Sequence, residues 1–475
     1  MEYSSTHFGL QTDMDDAAAR GTLKDVEERR SGLILAAFHG AQVPEQRTRM
    51  VALRNGDELR AFLPGSVLGY FVADAFGEKL VVLARSSNDD MRVFTHEMTH
   101  DLASYYFARQ PRWLEEGLAR FLETLKIDRE QNKVILGTPW IDRYFVPNAR
   151  VVHRTRITIP ELFARERKGL IPNYPTSWAL VFYLANNEGK AFNEYQKALF
   201  RGEEPDAAWK SSFPAYADRN GVKELNRKVD DALDEVVRTE RYKVATAPFV
   251  AYEGRIDTRM MPESEVLALR AELLVASPSS KQDHRSINAR AQADAREALR
   301  QNPAEVRAIS VLIDLTGGRD RKLDLARSAT IAAPDDFRSW LLVDRALDED
   351  QGSAQEESTR VFGLERAVGL APENPKALER LARSYAKAGK GAEALPLIRK
   401  SLAIFPDSAS ALDTYALIAS VQGSCTAARD LQLMAVNRLP HPAASKKDAE
   451  QTAFDKRIAH MHERLASYEK TCPAI

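Results

Sequence analysis

Apolar and polar residues alternate at strand spacing over "FGLQTD" (8–13), then switch to helical spacing over 15–38, where Leu23, Val26, Leu33 and Leu35 recur on an amphipathic helix. A β-rich run, "RMVALR" (49–54), leads into "GDELRAFL" (56–63), which reads as a short helix. "GYFVADAFGEKLVVLAR" (69–85) holds two apolar runs, Tyr70–Ala73 and Leu80–Leu83, around a turn containing Gly77, the pattern of a hairpin. The three segments predict an antiparallel sheet just ahead of the helix that follows.

From about 90 to 245 helical spacing dominates, with a looped or extended stretch near 135–175 punctuated by "GTPW", "VPNAR", "TIPEL" and "LIPNYP". "PTSWALVFYLANN" (175–187) is an apolar helix with Pro175 in its first turn. Residues 246–261 change character and are expected to be a linker. Beyond it a small residue, four others and a proline recur: Ala298/Pro303, Ala329/Pro334, Ala367/Pro372, Ser401/Pro406 and Ala435/Pro440, with proline spacings of 31, 38, 34 and 34. A period of 34 resembles the tetratricopeptide repeat (TPR), a helix–turn–helix unit closing on a proline. Leu381, Ala382, Tyr385, Ala394 and Pro406 fall on that family's consensus positions, as do Ala416, Ala428, Ala435 and Pro440. Small residues suit those positions because the paired helices pack closely. "SKKDAEQTAFDKRIAHMHERLASYEK" (445–470) reads as a capping helix, started by Ser445 with Asp448 and carrying Phe454, Ile458, Met461, Leu465 and Tyr468 at helical spacing. Its His460 and His462 point to different faces and read as surface residues.

The expected organisation is therefore an N-terminal α/β part (1–88), a helical part (89–245), the linker (246–261), helical repeats (262–444), and a cap with a tail (445–475). The fold class is α+β and mostly helical, a small antiparallel or mixed sheet plus helices followed by an α-solenoid. A net charge of −1 gives no global field for nucleic acid or an anionic membrane. Apolar stretches such as "GLILAAF" (32–38) are far short of the roughly 20 residues a membrane span needs. "MEYSSTHFGL" reads as the start of a folded domain rather than a secretion signal. The two cysteines, Cys425 and Cys472, are too few for a disulfide framework. A bridge between them would imply an oxidising compartment. Simple antiparallel packing of the cap speaks against it, since Cys472 would overshoot Cys425 by roughly 20 Å.

The chemistry concentrates in "THEMTH" (95–100). His96 and His100 are one helical turn apart on one face, so both imidazoles can reach one tetrahedral Zn²⁺. Glu97, beside the first, is placed to act as general base toward an attacking water. "HEMTHDLASYYFARQPRWLEEGLARFLE" (96–123) reads as two helices around a break at 107–111. In an antiparallel pair, residues equidistant from the turn face each other, and His100 and Glu116 have their midpoint at Ala108. Glu116 is thereby placed at the right height for a third ligand, and Gly117 beside it permits the helices to approach. Glu115 competes by position, but lies 100° further round the helix. Asp101 is a candidate orienter of an imidazole, or else a surface charge.

"HEMTH…PRWLEEGLARFLE" resembles the gluzincin metallopeptidases, closest to their bacterial peptidase-MA-like branch, in which a small sheet precedes the motif and TPRs often follow. The resemblance covers about residues 5–240 and rests on His96, Glu97, His100, Trp113, Glu116, Gly117 and Ala119. It implies Zn²⁺ held by His96, His100 and Glu116, with Glu97 as general base. It also implies an oxyanion-donating tyrosine downstream. "NYPTSW" (173–178) matches the corresponding segment, which makes Tyr174 the candidate; Tyr183 and His153 are the weaker alternatives, a core and a surface residue. The chain lacks the Gly-x-Met-Glu-Asn loop of the aminopeptidase N-like enzymes, so aminopeptidase activity does not carry over. "GYFVA" (69–73) is either an edge that pairs with an extended peptide or a merely structural strand.

The expected function is a zinc-dependent metallopeptidase, an endopeptidase acting on peptide or protein substrates, with repeats that bind a partner or substrate. The resemblance implies a periplasmic or secreted location. The rival expectation is a non-catalytic zinc-binding TPR scaffold or sensor, which has no need of the base Glu97. A third, an oligomeric periplasmic protease–chaperone, differs only in its partners.

Overall fold

The computed structural model describes all residues except 40, 42, 55–61, 63–68, 85–87, 108, 140–155, 168–171, 277–283, 348–352, 440–448 and 472–475. The short helix expected at 56–63 (apart from residue 62), about half of the extended stretch near 135–175, His153 and the cap's Ser445/Asp448 start lie outside the described residues.

In chain order the elements begin β1 (Glu2–Ser4), β2 (Phe8–Thr12), α1 (Asp16–Ala36), β3 (Thr48–Leu53), β4 (Gly69–Ala73) and β5 (Lys79–Ala84). Next come α2 (Asn88–Tyr106), α3 (Arg112–Leu122), β6 (Lys126–Asp128), β7 (Lys133–Leu136), α4 (Ile159–Arg167), α5 (Tyr174–Asn187), α6 (Gly189–Phe200), α7 (Pro205–Ser212) and α8 (Arg219–Thr239). Strands β8 (Ala245–Pro248) and β9 (Asp257–Arg259) follow. The remaining helices are α9 (Glu263–Ala276), α10 (His284–Gln301), α11 (Val306–Leu315), α12 (Arg319–Ala332), α13 (Phe337–Ala346), α14 (Ala354–Leu370), α15 (Pro375–Lys387), α16 (Gly391–Ile404), α17 (Ala409–Val421), α18 (Cys425–Asn437) and α19 (Ala449–Thr471).

The main sheet runs β4-β5-β3-β2-β1-β9, and β6-β7-β8 form a second, smaller one. The hairpin β4–β5 is antiparallel as expected, but β2–β3 and β3–β5 are parallel, so the main sheet is mixed. The reason is the connection: α1 crosses between β2 and β3, and such a crossover returns the chain in the same direction. Leu23, Val26 and Leu33 of α1 are buried against the sheet, whereas Leu35 is exposed.

One hydrophobic core contains Leu10, Met50 and Leu83 of the sheet, Phe94 and Met98 of α2, and residues as far as Leu233 of α8, so the boundary at 88/89 falls inside a single core. The other face of the sheet is buried too. Val51, Leu80 and Val82 pack on Leu273 of α9, the first solenoid helix. The expected linker is likewise built in, because β8 pairs with β7 and β9 pairs with β1.

From α9 onward, consecutive helices pair into an α-solenoid. Pro303, Pro334, Pro372 and Pro406 each fall two residues past the end of a pair's second helix. Ala298, Ala329, Ala367, Ala394 and Ala416 are completely buried where the helices meet. The hairpin turn between β4 and β5 enters this array. Phe76 is buried among Val306, Ile309 and Leu341, and its carbonyl accepts a hydrogen bond from Asn374 Nδ2 at 2.9 Å. A charged cluster beside it joins sheet and solenoid, Glu272 bonding Arg49 (2.7 Å) and Arg307 (3.0 Å). Arg307 also meets Asp74 at 2.9 Å.

Cys425 is disulfide-bonded, and the chain's other cysteine, Cys472, lies outside the described residues. The geometric objection to a bridge assumed that α19 starts level with the end of α18. It is slid along instead: Gln432 Nε2 donates to the Met461 carbonyl at 3.1 Å, and Thr471 O is 3.7 Å from Cys425 Sγ. Among the described residues no helix is long and apolar enough to cross a membrane.

Candidate metal centre

The face of α2 built from Met91, Phe94, Met98 and Leu102 is buried in the core, which leaves His96 and His100 on the flank toward α3. Helix α3 starts after the break at Pro111, which offers no capping side chain. Glu166 of α4 caps it instead, accepting from the backbone N–H of Arg112 (2.9 Å) and Trp113 (3.2 Å). Trp113 then locks the start of the helix, stacked on Tyr195 with ring centroids 6.1 Å apart and set edge-on to Trp209.

With both helices fixed, three donor atoms converge. His96 Nε2 and His100 Nε2 are 3.2 Å apart, and Glu116 Oε2 is 3.6 Å from the first and 3.7 Å from the second. Donors about 2 Å from one tetrahedral ion stand about 3.3 Å from each other, so the triangle fits a single ion of zinc's size. His96, His100 and Glu116 are also the group that meets a metal-holding geometry among the described residues. Glu115 does not share Glu116's direction; its Oε1 lies 3.8 Å from His100 Nδ1, on the far side of the ring.

Electrostatics point the same way. Burial alone would lower the pKa of His96, but hydrogen bonds to Glu116 and Glu123 and the charge of Glu97 raise it to about 9. Burial would raise Glu116, and the two histidines hold it below the ordinary carboxylate range. The pocket thus stabilises positive charge.

The imidazole orienter is not Asp101, which is paired with Lys79. Glu123 takes that role: its Oε2 is 2.9 Å from His96 Nδ1, and the side chain is almost fully buried. Glu123, the residue that ends α3 in helical conformation, is seven residues beyond Glu116 and hence on the same side of the helix. That spacing was the available signal. The charge of Glu97 is among the causes that raise the pKa of both His96 and Tyr174. Tyr174 opens α5 with its ring beneath Arg120, 5.6 Å from the guanidinium carbon. Burial and then the Glu116 charge raise its pKa. Tyr183 is buried in the core, its hydroxyl coupled to Tyr216.

Gly117 serves a different contact from the expected one. A Cβ there would lie 2.5 Å from the carbonyl oxygen of Ser177 and 2.7 Å from Val181 Cγ2, both on α5. The glycine therefore sets the distance between α3 and α5, the helices that carry Glu116 and Tyr174, not that between α3 and α2.

Fold and site together define a sheet-and-helix domain with a two-His, one-Glu centre, clasped by a helical-repeat solenoid. No family description matches the chain, and no curated protein matches it. Among solved structures it is similar to MamA protein (14% identity, 37% of this chain and 91% of that one, TM-score 0.28). It is also similar to a thermophilic TPR protein of Thermus thermophilus (16% identity, 42% and 99%, TM-score 0.30) and to Pseudomonas aeruginosa pilF (16% identity, 45% and 93%, TM-score 0.29). At those scores the likeness carries no argument, and the repeat architecture rests on the helix pairs themselves.

Proposed function

We propose that the chain is a zinc-dependent metallopeptidase, an endopeptidase, with His96, His100 and Glu116 as the metal ligands. The observation that carries this reading is the donor triangle of 3.2, 3.6 and 3.7 Å, with Glu97 next in the chain to His96. Bound zinc would supply a Lewis acid for the peptide carbonyl. The chain's own residues do the rest. Glu97 takes the proton of the attacking water and returns it to the leaving amine. Tyr174, whose raised pKa keeps it protonated, donates a hydrogen bond to the developing oxyanion. Glu123 accepts from His96 Nδ1–H, which leaves Nε2 free to bind metal. The substrate lies extended along β4, an outer strand of the main sheet, and adds to it by backbone hydrogen bonds. The disulfide at Cys425 supports a periplasmic or secreted location.

The solenoid's close hold on the metal domain favours a second reading, a zinc-binding scaffold or sensor without turnover. One experiment separates the two. Purified protein should hold about one zinc, lose it on His96→Ala, and cleave casein. Glu97→Gln should retain zinc and lose cleavage. Zinc binding without cleavage in the wild type selects the scaffold, and a metal-free native protein overturns both.

A further inference from the structure

The last repeat reaches the metal centre. The guanidinium of Arg438, just past the end of α18, is 3.2 Å from Asp407 of the solenoid and 3.7 Å from Glu115 of α3. Glu115 in turn faces His100 Nδ1 at 3.8 Å. That nitrogen is buried and makes no hydrogen bond, whereas the matching nitrogen of His96 is held by Glu123. Arg112, three residues before Glu115, clamps the same end of the solenoid through the carbonyls of Asn437 (3.1 Å from Nε) and Leu439 (3.4 Å from Nη2).

We infer that Arg438 is a positioning residue of the metal centre, resting on the reading of His96, His100 and Glu116 as metal ligands. It holds the Glu115 carboxylate behind His100, where a small rotation lets it accept from Nδ1–H and present Nε2 to the metal. A ligand histidine left without that partner is free to change tautomer and ring angle, which weakens metal binding. The metal domain is therefore completed by the solenoid: a residue more than 300 positions along the chain supplies the orienting shell of its second histidine. Anything that lifts the last repeat away would loosen the metal.

The test is Zn²⁺ affinity of the full chain, measured by chelator competition, with the Co²⁺ absorption spectrum as a readout of ligand geometry. Arg438→Gln and Glu115→Gln should each weaken Zn²⁺ binding about tenfold and alter the Co²⁺ spectrum. The double variant should be no worse than either alone, and Arg438→Lys should recover part of the loss. Zinc affinity within twofold of wild type in Glu115→Gln, a variant that leaves the solenoid untouched, overturns the inference even if Arg438→Gln is poorly folded. If His96→Ala then abolishes binding, the metal reading survives alone. If the wild type itself binds no zinc, both fall together.

Discussion

Gly117→Ala puts the geometry of the centre to its sharpest test, because two effects of known size oppose each other. Alanine in place of glycine within a helix is worth about 1 kcal/mol in its favour. Against that, the new methyl would sit 2.5 Å from the Ser177 carbonyl oxygen and 2.7 Å from Val181 Cγ2. Relieving both contacts means opening the α3–α5 spacing by about 0.8 Å. Ser177 is completely buried, and its carbonyl belongs to the backbone of α5, so no flexible side chain can yield. Overpacking of this kind costs about 1–3 kcal/mol, and the rigid partner places it in the upper half, for a net loss of about 1–2 kcal/mol. In a domain of this size that lowers Tm by several degrees. The functional effect should be larger than the thermal one. Glu116 is the adjacent residue, and metal–ligand distances tolerate only about 0.2 Å, so Zn²⁺ affinity should fall at least tenfold. Differential scanning fluorimetry without metal and chelator competition with Zn²⁺ read the two effects separately. A variant that melts higher than wild type and binds zinc equally well would show that helix propensity wins, and the close approach of α3 to α5 would be refuted.

Three further outcomes are expected. Glu123→Gln keeps an acceptor for His96 Nδ1 but loses its charge, and should weaken Zn²⁺ binding about tenfold while leaving Tm within a few degrees; unchanged affinity would remove Glu123 from the centre. Phe76→Ala empties a fully buried site between hairpin and solenoid. It should cost about 3–5 kcal/mol and raise hydrogen exchange in α11 and α13 ahead of α2, and uniform exchange would contradict the docking. Glu272 gives a pH signature. Burial alone would raise its pKa, but Arg307 and Arg49 pull it from 4.5 down to about 2. A folded pKa below the unfolded one contributes stability that is complete above about pH 4.5 and lost as pH falls toward 2. The contribution is on the order of 3 kcal/mol. Glu272→Gln should flatten the acid limb of urea denaturation midpoints between pH 5 and 2.5, and an unaltered limb would mean the cluster is not formed in solution.

The candidate metal centre was legible because its three side chains lie within 21 residues and two helices, where periodicity and a turn fix relative height. His96, His100 and Glu116 converge as the spacing required. What escaped reading depended on partners far along the chain. Glu166 caps α3 across a distance of 53 residues, and no local pattern announces it. Gly117 could be recognised as a point of close approach, but whether it met α2 or α5 depended on how three helices pack. The parallel strand pairs were in principle available, since a strand, a 21-residue helix and a strand imply a crossover. The hairpin signal nearer the motif drew the reading toward an antiparallel sheet. Residues 246–261 look like a linker because β8 and β9 are short and mostly exposed; only their pairing with β7 and β1 makes them strands.

The repeats were legible too, but not what they enclose. A free solenoid offers an open concave surface to a partner. Here Phe76 and the charged cluster of Glu272, Arg49, Arg307 and Asp74 come from two parts of the chain and join the β4–β5 hairpin and the sheet to the solenoid. Helix α9 closes the second face of the sheet, where Val51, Leu80 and Val82 would otherwise be exposed. At the other end Tyr105 of α2 donates to the Ile404 carbonyl at 2.6 Å, and Arg438 meets Glu115. The N-terminal domain is thus gripped at its sheet, at its hairpin and at α2 and α3, the helices that carry His96, His100 and Glu116. Cutting between 246 and 261 should then leave the halves associated rather than release them, because the strands there account for only a small part of the contact. A partner that engages the inner surface must displace the hairpin first, and in doing so it would act on the same solenoid whose last turn holds Glu115 behind His100.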